Sequence, residues 1–438
     1  MTLTTTPYWW DHGQPLPDLP KAPPPKAELL IVGAGFTGMS AAIHAARAGA
    51  QVCVVDAGVP GEGASTRNGG MAGAHPRLSL KDTAAKWGME TAKALFNEAQ
   101  PAYDHLQRLT ADFGIDCDYQ QTGRVQLAWT RADAQKQRTM AVDMAEGTDF
   151  PVEYVERENL REHINTDQYF SALYYPTHAG LHPRKLYDGM LAAALSLGVT
   201  VVPRCPVWDV SRDGASFAVR HSSGTLLADK VILATNGYTE GGGVFSWLKR
   251  RVFPLPSFIV ATEELSPNLI ADLAPGRRMM VETRARHSYF RISPDGSRIL
   301  WGGRAAMTPI SATRAADRLR SSLEHVWPQL KGVRFSHSWS GNTGFAFEQA
   351  PHVGQRDGVH FAMGYCGGGV VLAPYLGMKA AFQALDDPRG ETAYTRTGFS
   401  TRSWHPGGKP HFMHAANLWY GQVVDRQQTR QAARDHRR

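Results

Sequence analysis

An apolar run, Leu29-Leu30-Ile31-Val32, ends in Gly33-Ala34-Gly35-Phe36-Thr37-Gly38 and opens directly into a helix of small residues, Met39–Ala48. No other stretch constrains the fold as strongly. G-x-G-x-x-G between a strand and a helix is the turn of a dinucleotide-binding βαβ unit. Gly33 allows the tight turn, Gly35 lets the backbone approach a pyrophosphate, and Gly38 lets helix and strand pack closely. The N–H groups at the helix start, those of Phe36 and Thr37 among them, and the positive end of the helix dipole would hold the phosphates. A second strand, Val52-Cys53-Val54-Val55, ends at Asp56, where a carboxylate accepts from a ribose hydroxyl, with Ala57 beside it. The adenosine half of a dinucleotide is thereby specified.

The next loop points to which dinucleotide. A unit for NAD would pass from the second strand into another helix. Here Gly63-Ala64-Ser65 and Arg67-Asn68-Gly69-Gly70-Met71 supply a second set of backbone and side-chain donors beside the first phosphate site. FAD explains that set better than NAD; the plain alternative is a flexible surface loop. Two later segments agree with a flavin. Lys230–Leu233 is an apolar strand ending in Ala234-Thr235-Asn236-Gly237, which suits a backbone passing close to a ligand. Val359–Met363 runs into Gly364-Tyr365-Cys366-Gly367-Gly368-Gly369-Val370 and an apolar helix through Ala380, giving a second helix N-terminus near an electron-rich ring edge. Val207 completes the set of expected cofactor contacts.

The order of G-x-G-x-x-G, G-A-S-x-R-N-G-G, A-T-N-G-Y and G-Y-x-G-G-G-V resembles the D-amino-acid-oxidase-type (DAO) flavoproteins, the glycine/sarcosine oxidase group, in particular a γ-glutamylputrescine oxidase-like branch. The resemblance extends from Tyr8-Trp9-Trp10 to Trp419-Tyr420. It implies an α/β fold in which a Rossmann-like FAD-binding domain is interleaved with an antiparallel-sheet substrate domain. Residues 27–80, 176–240 and 335–390 would form the first, and residues 81–175 and 241–334 the second. Residues 1–26 would be an N-terminal arm and 391–438 a C-terminal extension. No Cys or His matches a covalent-flavin position, so noncovalent FAD is expected.

The chain's 438 residues allow two cores. No run reaches transmembrane length and no signal pattern opens the sequence, so no integral membrane segment is expected and the cytoplasm is the default compartment. The four cysteines, Cys53, Cys117, Cys205 and Cys366, are scattered, which disfavours a disulfide framework or a zinc site. Much of the net charge of +7 lies in the tail from Arg426, which reads as a solvated end and not as a nucleic-acid arm. Residues 80–112 read as helices, as does Leu186–Leu197, followed by a strand Val199–Val202. Further strands are expected at Arg124–Trp129, Phe258–Thr262, Ser288–Ile292 and Arg298–Trp301, the last two joined by Pro294-Asp295-Gly296.

Amine oxidation by a flavin needs few protein groups: a neutral amine loses hydride from its α-carbon, and water hydrolyses the imine. Pocket residues are therefore sought. Tyr289 and Arg291 share one face of a strand and together could clamp a carboxylate; the alternative is that Arg291 snorkels and Tyr289 is core. Arg286 and His287 are secondary candidates, and His75 and Tyr365 complete the set. Where α-amino-acid oxidases of the family carry a carboxylate-binding Arg, the resemblance places Thr343, next to Asn342, which argues against glycine or a simple D-amino acid. His178 and His182 have the spacing of a metal pair, but Gly180 and Pro183 oppose a helix there, so no metal is expected. The expected partners are a small amine substrate and O2 or another electron acceptor. Three functions follow: an FAD amine oxidase for a secondary or ω-amine with a distal carboxylate, releasing H2O2; a dehydrogenase passing the electrons to a quinone or protein; or a flavin-binding protein without turnover. No lysine near Leu300-Trp301-Gly302 chooses between the first two.

Overall fold

The computed structural model describes residues 3–437; residues 1, 2 and 438, at the outer ends of the expected arm and extension, lie outside it. Two eight-stranded sheets carry the fold. In the first, Val359–Met363, Gly224–Leu233, Lys26–Val32, Val52–Val55 and Thr200–Val202 lie side by side and parallel. Leu29 and Ile31 pack on one face of this sheet with Met39, Ile43 and Leu376, while Leu30 and Val32 pack on the other with Cys53, Val55 and Phe361. Burial on both faces is why these strands read as continuous apolar runs. The helices Phe36–Arg47, Pro183–Ser196 and Gly369–Ala384 pack on the first face.

The second sheet runs Phe335–Ala346, Val252–Thr262, Ile299–Gly303, Ser288–Ile292, Met279–Glu282, Arg124–Leu127, Ala172–Tyr175, Glu153–Val155. It is antiparallel except where Met279–Glu282 meets Arg124–Leu127. Its outer face packs on Ala312–Val326 through Phe290, Trp301, Leu319, Leu323 and Trp327, with Phe290 and Trp301 stacked at 4.0 Å. Its inner face roofs the glycine-rich segments of the first sheet.

Three expectations about organisation are corrected. The helices Leu80–Trp87, Met89–Asn97 and Ala99–Asp112 do not pack only within the expected substrate domain: Leu95, Phe96, Tyr103 and Leu106 share a core with Met39, Ile43 and Leu376 of the cofactor side. An apolar stripe needs a partner: Gly369–Ala384 supplies it for Ala99–Asp112, and the helix Arg131–Gly147 packs on Leu80–Trp87. Conversely Phe335–Ala346 is the edge strand of the second sheet, paired along Val252–Thr262, so the first twelve residues of the 335–390 segment change sides. Their polar, glycine-containing sequence hides a strand whose register is set by its apolar partner. The C-terminal tail is mostly exposed, as expected, but it is a docked helix and not a loose end. Phe412–Trp419 continues through one π-turn into Asp425–Asp435, where Asp425 accepts from Arg286 Nε at 2.7 Å and Asp435 from the Arg131 N–H at 3.0 Å.

The N-terminal arm ties the halves together. Trp9 is fully buried and its indole donates to the Asn68 carbonyl at 2.7 Å, while Trp10 donates to Thr66 Oγ1 at 2.8 Å. Thr4 exchanges backbone hydrogen bonds with Ser336 and Ser338 in the second sheet. Among the described residues no helix is long and apolar enough to cross a membrane.

Candidate functional site

The Gly33–Gly38 turn has the geometry its glycines require. Gly33 has φ of 107° and approaches the Ala234 carbonyl so closely that a Cβ would lie 2.9 Å from its oxygen. A Cβ on Gly38 would overlap the Gly33 carbonyl, so only glycine lets this helix sit on this strand. At Gly35 a Cβ would stand 3.0 Å from Ser65 Oγ, which accepts from the Phe36 N–H at 2.9 Å. Gly35 provides no side-chain cap for the Phe36–Arg47 helix, whose first turn presents backbone N–H groups as an anion site needs. This cradle and its donors fit a pyrophosphate. Asp56 accepts from Ala34 N at 2.7 Å and from Gly58 N at 2.9 Å, and burial raises its pKa. Its carboxylate therefore braces the turn, and each oxygen keeps a lone pair for a ribose hydroxyl. Ala57 is exposed beside it.

The second loop holds its shape through the side chains singled out as donors. Asn68 Nδ2 donates to the Ala64 and Ser65 carbonyls at 3.1 and 2.8 Å, and its Oδ1 accepts from Gly70 N at 2.8 Å. Arg67 donates to the carbonyls of Glu62 and Ser340 at 2.6 and 3.2 Å and lies over the Trp10 ring. Both side chains are thus fasteners of the loop, while Ala64, Gly69 and Met71 line the adjoining cavity with them. Gly63 packs near the Tyr238 ring. Ala234 passes the Gly33 turn, and Asn236, at φ of 45°, accepts from Gly364 N at 3.0 Å. Thr235 bonds Thr239, and Gly237 abuts Gly344 of the second sheet. Val207 opens a hairpin strand and packs beside Cys205 and Val210, on the sheet face opposite the Phe36–Arg47 helix.

Between the sheets lies a cavity of about 520 Å³, reached by Gly367, Gly368 and Val370 of the glycine-rich turn from below and by Tyr289 and Thr343 from above. Gly369 starts the helix behind that turn. The Tyr365 ring lines the cavity while its hydroxyl bonds Thr37 Oγ1 at 2.8 Å, linking the two glycine turns. Tyr289 bonds Ser257 Oγ at 2.8 Å, and burial pushes its phenol up to about 12, so it remains a neutral donor. Cys366 also faces the cavity; burial pushes its thiol up to about 11.

His75 lines the same cavity within a chain of polar groups. Arg124 can only donate, so His75 Nε2 accepts from it at 3.1 Å and the ring proton sits on Nδ1, which donates to His178 Nε2 at 3.1 Å. The His75 ring stacks on Tyr175 at 4.6 Å. Burial, and then the Arg124 charge, hold both imidazoles well below their usual pKa, so both are neutral. His182 does something different: it caps the Pro183–Ser196 helix by accepting from Lys185 N at 3.3 Å. His178 and His182, four residues apart in sequence, thus have different partners.

Arg291 requires a correction. It shares a strand face with Tyr289, but its guanidinium donates to the carbonyls of Gly70 at 2.8 Å, Leu181 at 2.9 Å and Ile292 at 3.1 Å. It is 4% exposed and does not line the cavity. Gly70, at φ of 65°, and Gly180 leave it the room: a Cβ on Gly180 would lie 2.6 Å from its Nη2. Arg291 is a structural clamp. The arginines that line the cavity are others: Arg77, Arg124, Arg284 and Arg304, with His287 among them, besides the loop fastener Arg67. Arg284 is paired with Glu282, which also accepts from Tyr169 at 2.7 Å. Burial, and then the Arg304, Arg77, Arg284 and Arg124 charges, hold His287 well below its usual pKa. Arg124 could have been found from its place at the start of an alternating strand. Arg77 and Arg304 carry no local pattern that separates them from surface arginines.

Comparison with known proteins agrees with this geometry. The model of the DAO family, FAD dependent oxidoreductase, matches residues 28–383. The chain is 30% identical over 362 residues to the probable oxidoreductase OrdL of Rhizobium meliloti, covering 82% of this chain and 83% of that protein. It is 28% identical over 355 residues to the γ-glutamylputrescine oxidoreductase of Escherichia coli, covering 81% and 82% respectively. Glycine oxidase from Geobacillus kaustophilus has the same fold, with a TM-score of 0.73 at 21% identity over 87% of this chain and 99% of that one. With the cradle, the second glycine turn and the roofing sheet in place, the chain belongs to the DAO family of FAD-dependent oxidoreductases.

Proposed function

We propose that the protein oxidises a small secondary or ω-amine that carries a carboxylate away from the oxidised carbon, with O2 as acceptor and H2O2 as product. The observation that carries this reading is the cavity between the second glycine turn and the sheet roof, lined by arginines and by Thr343 in place of a fixed α-carboxylate anchor. Noncovalent FAD would be held by the Gly33–Gly38 and Ser65–Met71 segments and would supply the two-electron acceptor. The chain's own groups do the rest. Arg77, Arg124 and Arg304 attract the carboxylate, and Tyr289 offers a neutral hydroxyl to orient the substrate. The same positive field disfavours an ammonium group, so a bound amine gives up its proton to solvent and presents the neutral form from which hydride can leave. Water then hydrolyses the imine after release. The E. coli relative, by its name a γ-glutamylputrescine oxidoreductase, supports this choice. The place of action in this proposal is the cytoplasm.

The test is to add candidate amines to the oxidised holoenzyme without oxygen and follow bleaching of the flavin. A carboxylated secondary or ω-amine should bleach it faster than glycine or D-alanine; the reverse order rejects the substrate class. Admitting air should then restore the colour within seconds and release H2O2. Colour that returns only with a quinone favours the dehydrogenase reading.

A further inference from the structure

Arg77, Arg124 and Arg304 reach the cavity from three different segments, and each meets only neutral partners. Arg124 is half-buried, lies 4.7 Å from the Tyr175 ring centroid, and bonds neutral His75; its Nε is buried with no partner among the described residues. Arg77 donates to Gln349 Oε1 at 3.2 Å and to the Cys366 carbonyl at 3.4 Å. Arg304 lies 4.6 Å from the Phe345 ring, with Arg77 at 5.5 Å from the same ring. Arg77 is the charged group that acts most on Arg304. Nearby Arg284 shows the contrast, since Glu282 neutralises it.

Arg77 is exposed and Arg124 and Arg304 are half-buried, so three permanent charges line one cavity with no carboxylate paired to them among the described residues. One carboxylate bridging Arg77 and Arg304 beside Phe345 would leave Arg124, on the Tyr175 side, uncompensated. We infer that the substrate is an amine bearing two anionic groups, one carboxylate held by the Arg77–Arg304 pair and a second by Arg124. This inference rests on the proposed amine oxidation and specifies its substrate class as amino or imino dicarboxylates. A monoanion would occupy one of the two positions and bind more weakly. The cavity-facing edges of the Arg77, Arg124 and Arg304 guanidiniums are the donors involved.

The test is binding, not turnover. Glutarate and succinate, with butyrate as the one-charge control, are titrated into the oxidised holoenzyme, and the shift of the flavin visible spectrum reports occupancy. A dicarboxylate should bind at least about tenfold more tightly than butyrate, as a second charge-assisted contact implies. Arg124→Gln and Arg304→Gln should each remove most of that preference with flavin content unchanged. Arg124→Lys and Arg304→Lys, which keep the charge, serve where the glutamine forms fail to fold, and should retain a preference. Equal affinity for butyrate and the dicarboxylates overturns the inference. So does loss of flavin from folded Arg124→Gln and Arg304→Gln, which would assign the cluster to the cofactor. Failure of every amine to bleach the flavin would instead reject the proposed reaction while leaving the anion titration readable.

Discussion

The glycine turn at Gly33–Gly38 and the arginine-lined roof are both built for anions, by opposite means. In the turn, backbone N–H groups do the binding and side chains are removed to let the ligand in; Gly33, Gly35 and Gly38 each have a neighbour that a Cβ would press or overlap. In the roof, on the proposed function, long cationic side chains would do the binding, and what matters is where each guanidinium ends. Arg291 and Arg304 illustrate this. One lies in the strand Ser288–Ile292 and the other directly follows the neighbouring strand Ile299–Gly303. Arg291 is consumed by three backbone carbonyls, whereas Arg304 lies against Phe345 and lines the cavity. A backbone site is fixed by steric exclusion; a side-chain site is fixed by competition for partners.

The largest expected effect tests the backbone half. Gly35→Val sets a branched side chain against Ser65 Oγ and into the cradle, and should leave the purified protein without flavin. The ratio of visible to ultraviolet absorbance reads this directly, and a fully yellow variant would refute the cradle. Arg291→Ala comes next. It strands the buried Leu181 carbonyl, leaves Gly70 O with only the Leu181 N–H, and should cost about 2 kcal/mol of unfolding free energy, measured by denaturant titration. Substrate discrimination should survive in whatever protein folds; its loss with stability intact would return Arg291 to the substrate site.

A pH effect is smaller. Burial, then the Arg47 charge, lower His44 to about 4, so the folded protein resists protonation there while the unfolded chain does not. The unfolded state binds more protons between about pH 6.5 and 4, so stability is fully present above that window and falls with pH through it, by at most about 1.4 kcal/mol per unit. His44→Gln should flatten the slope of melting temperature against pH. An unchanged slope would show that His44 is not the group responsible. Trp9→Phe, which loses the indole bond to the Asn68 carbonyl, should cost about 1 kcal/mol and loosen flavin retention slightly.

These differences in mechanism also explain what could be read in the sequence. The cofactor half was legible because its glycines, its buried strands and Asp56 obey local rules that any ligand-free stretch would have no reason to follow together. The strand Ser288–Ile292 was legible within its bounds, and the Pro183–Ser196 helix nearly so. The edge strand Phe335–Ala346 was not, because its partner and not its own composition makes it a strand. Nor were the partners of the helices of residues 80–112 legible, since an apolar stripe shows that a helix packs but not against what. Tyr289 and His75 were found as cavity residues, yet the partners that define them, Ser257 and the Arg124–His178 pair, lie far away in sequence.

The central claim is that backbone glycines hold the cofactor while Arg304 and its neighbours hold the substrate. It is tested most directly by single-turnover flavin reduction without oxygen, comparing a carboxylated amine with its methyl ester in the wild-type protein and in Arg304→Gln. The wild type should prefer the free acid, and Arg304→Gln should lower the second-order reduction rate for the acid by about ten- to a hundredfold while changing the ester little, with flavin content constant. Equal losses for acid and ester, or no preference for the acid in the wild type, would contradict that division of labour.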